Sequence, residues 1–292
     1  MAESTGISWT DATFNIAWGC EKISPGCAHC YAEAQADNGR MAYRKAGEIV
    51  GVWGRNRPRR TFGESHWNEP RRWNAKAQER GTRMRVFSSS MTDVFLDDAT
   101  IDAEREKLWP LIRETPWLDW QLLTKRADRI AQCLPEDWAP DTYFNVWLGV
   151  SIESDDYAHR ADYLRQIPAV VRFVSYEPAL GPLDTLNLDG LHWVIYGAES
   201  GPNRRPEDKD WARRMHQRCY DAGVAFYHKQ SSGLRSGTGV ELDGQIVHDF
   251  PAVDCPPWLH VPGLYKDSQI LTPPAVVVQT ADDRQRLLFG DD

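Results

Sequence analysis

The sequence predicts an α/β fold, a partial (β/α) TIM-like barrel with a basic insertion after its first strand. Three observations predict it. Seven short apolar runs, rich in β-branched and aromatic residues, recur between residues 12 and 228. Helix-like segments separate most of them. Polar residues follow every run. Runs of this length and composition suit strands buried on both faces, and their alternation with helices argues for a parallel sheet.

The first run is "ATFNIAW" at 12–18. The others are "MRVF" (84–87), "LDWQLL" (118–123), "FNVWLGV" (144–150), "VVRFV" (170–174), "LHWVIY" (191–196) and "VAFYH" (224–228). Between them, 100–114 reads as a helix with Thr100 as N-cap and Asp102, Glu104 and Glu106 near its N-terminal end. Residues 155–167 open with Asp155 and Asp156. Residues 207–222 place Trp211, Met215, Cys219 and Ala222 on one face, with Gly223 as the C-cap glycine. The unit at 174–190 is too short and too Pro/Gly-marked for a full helix. The expected domain plan is a barrel over 1–232, with 38–83 as a basic, aromatic-containing insertion, and a loop-rich C-terminal appendage over 233–292.

Net charge is −8, unevenly spread. Residues 40–85 hold thirteen Lys/Arg against four Glu, a local balance of +9, so the rest of the chain carries −17. Trp53, Phe62, Trp67 and Trp73 lie within that stretch. Basic residues interleaved with aromatics suit a surface that faces DNA or RNA. They equally suit a solvated, Arg-rich excursion packed through its tryptophans. No apolar run approaches the roughly 20 residues a spanning helix needs. The N-terminus "MAESTGISWTDATF" lacks a basic and an apolar signal region. A cytoplasmic protein with no membrane partner is expected. In a reducing compartment its cysteines are metal-binding, catalytic or buried before they are disulfides.

The strand ends carry the chemistry. After the second run comes "SSSMTD" (88–93), after the third "TKR" (124–126), after the fourth "SIES" (151–154). "SYEP" (175–178), "GAESGP" (197–202) and "KQ" (229–230) follow the remaining three. In βα barrels the C-terminal ends of the strands build one site. Any single polar residue there is ordinarily a cap or a solvated loop. Recurrence at every strand is harder to dismiss.

The first run ends at "AWGCEKISPGCAHCYAE", which holds Cys20, Cys27 and Cys30 in a C-x6-C-x2-C spacing. Three thiolates can hold an iron–sulfur cubane and leave one iron open. They can also form a zinc site with His29 or His66 as fourth ligand, although no second C-x2-C unit is evident. Unligated thiols explain single cysteines better than a cluster of three.

This three-cysteine loop after the first strand of a βα barrel resembles the radical S-adenosylmethionine (radical SAM) enzymes. It departs from their C-x3-C-x2-C spacing, and His29 rather than an aromatic precedes Cys30. The chain is more similar to a family of phage and bacterial proteins with the longer three-cysteine motif. The stretches "TFNIAWGCEKISPGCAHCYAE", "VFSSSMTDVF", "LLTKRADRI", "GVSIES", "SYEPALGPL", "WVIYGAESGP" and "HKQ" carry that resemblance, over about 7–232. The resemblance implies a radical SAM-type barrel. It also implies a 4Fe–4S cluster on Cys20, Cys27 and Cys30, with S-adenosyl-L-methionine on the open iron. Reductive cleavage of that cosubstrate to a 5′-deoxyadenosyl radical would act on an unidentified substrate, with nucleic acid among the candidates. Ser88, Ser89, Ser90, Asp93, Lys125, Ser151, Glu153, Glu177 and Glu199 are the expected cosubstrate contacts, placed by strand order. A reducing electron donor is implied, and a partner protein is left open. The rivals are a non-catalytic, zinc- or cluster-stabilised nucleic-acid-binding protein and a TIM-like hydrolase using the strand-end carboxylates.

Overall fold

A computed structural model describes residues 5–37 and 43–253. The seven expected strands form one sheet. They are β1 (Ala12–Phe14), β2 (Met84–Ser88), β3 (Leu118–Thr124), β4 (Val146–Ser151), β5 (Val171–Ala179), β6 (Trp193–Ala198) and β7 (Ala225–Gln230). Every neighbouring pair is parallel, and spatial order follows chain order from β1 to β7. The chain is a curled, partial (β/α) barrel. Register shifts sit near the C-terminal ends of β5 and β6, where bulges re-aim side chains.

Successive strand residues point to opposite faces. Even-numbered residues such as Val86, Trp120, Leu122, Val146, Leu148, Val150, Val174, Val194 and Phe226 join the large outer core beneath the helices. Odd-numbered residues point inward. Phe87, Trp147, Val171, Phe173, Trp193, Ile195 and Tyr227 pack with Trp9 into a second core. That core fills the N-terminal half of the barrel.

The helices depart from expectation in detail. The segment at 100–114 is Ala99–Glu114, and its N-cap is Asp98, which accepts from the backbone N–H of Thr100 and Ile101. A carboxylate accepts two amides where the Thr100 hydroxyl was expected to accept one. The segment at 155–167 divides into a 3-10 turn, Asp155–Tyr157, and a short helix, Arg160–Arg165. Lys209–Ala222 ends at Gly223 in the left-handed region, as expected. No helix forms at 174–190; Leu183, Leu186 and Leu188 are buried there instead. No helix among the described residues is long and apolar enough to cross a membrane.

Two stretches outside the strands are more integrated than their composition suggests. Within 38–83, of which 38–42 lie outside the described residues, the helix Glu69–Arg80 buries Pro70, Trp73 and Ala77 and leads into β2. Its arginines keep to the exposed face. Beyond β7, Glu241–Leu242 pairs antiparallel with Gln245–Ile246. Phe250 then packs on Trp193 at 5.3 Å, and Trp193 Nε1 donates to Asp249 O at 2.9 Å. The segment up to 253 therefore closes the aromatic end of the barrel. Residues 254–292, with Cys255, lie outside the described residues.

Candidate functional site

The three-cysteine loop crosses the mouth formed by the strand ends, and the sequence explains how it is held. It starts at Gly19, with φ of +113° and a backbone so close to Val52 O that a Cβ would lie 2.3 Å away. No other residue fits that turn without strain. From Cys20 onward, four side chains at three strand ends tie the loop down through five hydrogen bonds. Arg126 Nη1, after β3, donates to Cys20 Sγ at 3.7 Å, and its Nη2 donates to Glu21 O at 2.9 Å. Ser24 Oγ donates to Glu153 Oε1, after β4, at 2.5 Å. Arg205 Nη1, after β6, donates to Pro25 O at 3.0 Å. His29 Nδ1 bonds Glu199 Oε2, also after β6, at 3.1 Å. Gly26 lies so close to Glu153 that a Cβ would stand 2.5 Å from Oε1.

Each carboxylate at the mouth is matched by a cation. Asp93 pairs with Arg126 at 3.0 Å and also accepts from Thr124 Oγ1 and the Phe95 amide. Glu153, 1% exposed, pairs with Arg160 at 2.8 Å and Lys125 at 3.3 Å. Glu177 pairs with Lys229, and Glu199 with Arg205. Burial raises the Glu199 carboxyl, but hydrogen bonds from Arg205 and His29 outweigh it and hold it at about 2. Burial, and then the Asp93 charge, push the Cys20 thiol up to about 12 against the pull of Arg126. Burial raises Cys30 as well.

The expected site residues divide into two groups. Ser88, Ser89 and Ser151 are buried, with the Ser88 and Ser89 hydroxyls 3.3 Å apart. Asp93, Glu153 and Glu199 are buried and engaged in the contacts above. Ser90, Lys125 and Glu177 are partly exposed. Ser90 O accepts from Tyr31 Oη at 3.0 Å, and Ser90 Oγ accepts from Asn15 Nδ2 at 3.1 Å. Tyr31 is 53% exposed, yet enclosing protein and the charges of Cys30 and Glu177 raise its hydroxyl.

Sequence reasoning passed over Ser24, Tyr31, Arg126, Arg160, Arg205 and Lys229. Four lie within or beside quoted motifs: "GCEKISPGC", "HCYAE", "TKR" and "HKQ". Arg160 gave no motif signal; it reaches Glu153 from the following helix. The inward parity of the strands would have found Lys229, which shares the odd-numbered face with Tyr227.

The donor set bears on which group the loop can hold. Cys20, Cys27 and Cys30 are free, partly exposed thiols, and Cys27 acts electrostatically on both others. Three soft sulfur donors suit an iron–sulfur cluster or zinc. His66 stacks on Phe62 at 4.2 Å and bonds Asn15 O at 2.9 Å. His29 meets Glu199 through Nδ1, the kind of carboxylate contact a metal-bound histidine commonly keeps on its other nitrogen. Among the described residues, no three His, Cys, Asp or Glu side chains stand as a group able to hold a metal ion.

Part of the basic stretch is used internally, although most of its described lysines and arginines are exposed. Arg59 is buried against Asp98, Arg83 against Asp119, and Arg60 lies over the Trp18 ring at 4.2 Å. Arg55 and Arg57 are exposed, on a loop whose Gly54 amide donates to Cys20 O at 2.8 Å. Arg55 lines a cleft of about 450 Å³ with Glu21, Lys22, Glu33, Trp53 and Gly54.

Comparison with solved structures finds a spore photoproduct lyase mutant with bound AdoMet and dinucleoside spore photoproduct. The TM-score is 0.40 at 12% identity, covering 72% of this chain and 61% of that one. Two further spore photoproduct lyase mutants match with a TM-score of 0.38 at 14% identity, covering 74% of this chain and 62% of theirs. The chain thus spans about three fifths of those structures. No curated protein matches it. The family model described as "Protein of unknown function (DUF5131)" matches residues 4–251, and the chain belongs to that family.

Proposed function

We propose that this chain is a radical SAM-like iron–sulfur enzyme. One observation carries the reading: a loop with three free thiols is tied at four points across the polar mouth of a partial parallel barrel. Cys20, Cys27 and Cys30 would hold a 4Fe–4S cluster, which supplies one-electron cleavage of S-adenosylmethionine and hence hydrogen abstraction from a substrate. Three thiolates rather than four leave one iron for an outside ligand.

The chain's own residues divide the remaining work. Asp93, Glu153 and Glu199 are proposed to hold the loop in place through Arg126, Ser24 and His29. Ser88, Ser89 and Ser151 shape the strand ends. Ser90, Lys125 and Glu177 offer accessible polar groups to the cosubstrate, and Lys229 balances Glu177. The aromatic core below the mouth excludes water from the barrel floor. For the substrate we propose nucleic acid, on the exposed Arg55 and Arg57 beside the thiol loop; binding that ignores ionic strength would contradict this.

The test is anaerobic reconstitution with iron and sulfide, followed by dithionite and S-adenosylmethionine. A brown protein that releases 5′-deoxyadenosine is expected. A colourless protein holding one zinc would overturn the reading.

A further inference from the structure

Of the three thiols, Cys20 has a setting the others lack. Arg126 Nη1 lies 3.7 Å from its sulfur, within N–H···S range. Ser24 Oγ stands 3.8 Å from Cys27 Sγ, but that hydroxyl already donates to Glu153 at 2.5 Å, so it has no proton to offer the sulfur. Cys30 has backbone amides of Ala32 and Glu33 near it. Among the described residues, Cys20 is the one of the three with a cationic side chain in hydrogen-bond reach.

Arg126 is not a mobile surface arginine. It is buried, with Nη1 also on Asp93 Oδ2 at 3.0 Å and Nη2 on Glu21 O at 2.9 Å. Asp93 is fixed in turn by Thr124 Oγ1 at 2.7 Å and the Phe95 amide at 2.9 Å. The guanidinium is therefore held by Asp93, which β3 and the segment after β2 fix, as well as by the loop it contacts. A planar guanidinium presents several N–H groups in a fixed fork, so one can serve the carboxylate while another serves the sulfur.

We infer that Arg126 is a positioning residue that orients the Cys20 thiolate and tunes the cluster's reduction potential. The inference rests on the proposed cluster. A cationic N–H donor to a ligating sulfur stabilises the more negative, reduced cluster, and so raises its potential. It also favours the thiolate over release of the ligand. Asp93 then acts one step further out, on Arg126, rather than on the cosubstrate. The cluster is asymmetric in consequence: among the described residues, Cys20 is the sulfur with a guanidinium N–H directed at it.

The test compares reconstituted, full-length wild type with Arg126→Gln and Arg126→Lys under exclusion of oxygen. Two quantities are read, neither of them activity: the cluster's midpoint potential by redox titration, and its rate of iron loss to a chelator. Arg126→Gln is expected to shift the potential negative and to speed iron loss several-fold. Arg126→Lys keeps the charge without the fork and is expected to fall between Gln and wild type. It also reports alone if circular dichroism shows that Arg126→Gln does not fold. Potentials and iron-loss rates equal to wild type in the folded variants would overturn the inference and leave the cluster reading intact. A wild type that assembles no cluster would overturn both.

Discussion

The two ends of the barrel interior share one set of strands and one inward parity, yet carry opposite chemistry. At the N-terminal end the inward positions are Phe87, Trp147, Phe173, Trp193 and Tyr227, covered by Phe250. At the C-terminal end the same parity continues as Lys125, Glu153, Glu177, Glu199 and Lys229. One end is a dry aromatic plug, sealed by the segment leading to residue 253. The other is a ring of paired charges with a thiol loop tied across it. Burying large aromatic rings stabilises the sheet. Burying charge contributes little net stability even when every charge is paired. The apolar end therefore carries the fold, and the charged end adds little to it.

Substitutions can break or sharpen that contrast. Trp193→Ala removes a fully buried ring from the plug and is expected to cost about 3–5 kcal/mol, read by denaturant unfolding. The folded fraction should still take up iron at the mouth. Glu153→Gln leaves Arg160 without its buried carboxylate and should cost about 3 kcal/mol. This variant should also loosen the Ser24 contact, and a proteolytic cut between residues 20 and 30 would report it.

Acid gives a milder effect. Burial lowers His66, His192, His228 and His248 from the ordinary value of 6.5, so the folded state holds them neutral. The unfolded chain then binds more protons at low pH. The contribution of these histidines is complete above 6.5 and is lost as pH drops below it, seen as a declining melting temperature. A melting temperature unchanged into acid would contradict that burial. Cys27→Ser should alter stability least, by about 0.5 kcal/mol or less, because the side chain is small and partly exposed. Its expected loss is in iron binding, so stability and metal content should separate.

How much of this was legible beforehand follows from the kind of signal. All seven strands were readable, because a strand buried on both faces is a compact apolar run. Their parallel order followed from alternation with helices. Cys20, Cys27 and Cys30 were visible through spacing alone. The ties that fix their loop were not, because Glu153 meets Arg160 and Ser24 through the fold rather than through local sequence. The Glu69–Arg80 helix was hidden in a basic stretch. Its apolar signal is two residues, Trp73 and Ala77, one turn apart. Thr100 reads as a cap in the sequence because Asp98 lies just outside the periodic pattern. The packing of Phe250 on Trp193 was equally hidden, since one aromatic in a polar tail carries no periodicity.

The central claim is that three thiols leave one iron of a cluster open at the charged mouth. Electron paramagnetic resonance of the reconstituted, dithionite-reduced protein tests it directly, with and without S-adenosylmethionine. A 4Fe–4S signal that changes shape on adding the cosubstrate is predicted. A cluster signal indifferent to it, or no cluster on the wild-type chain, would contradict the account.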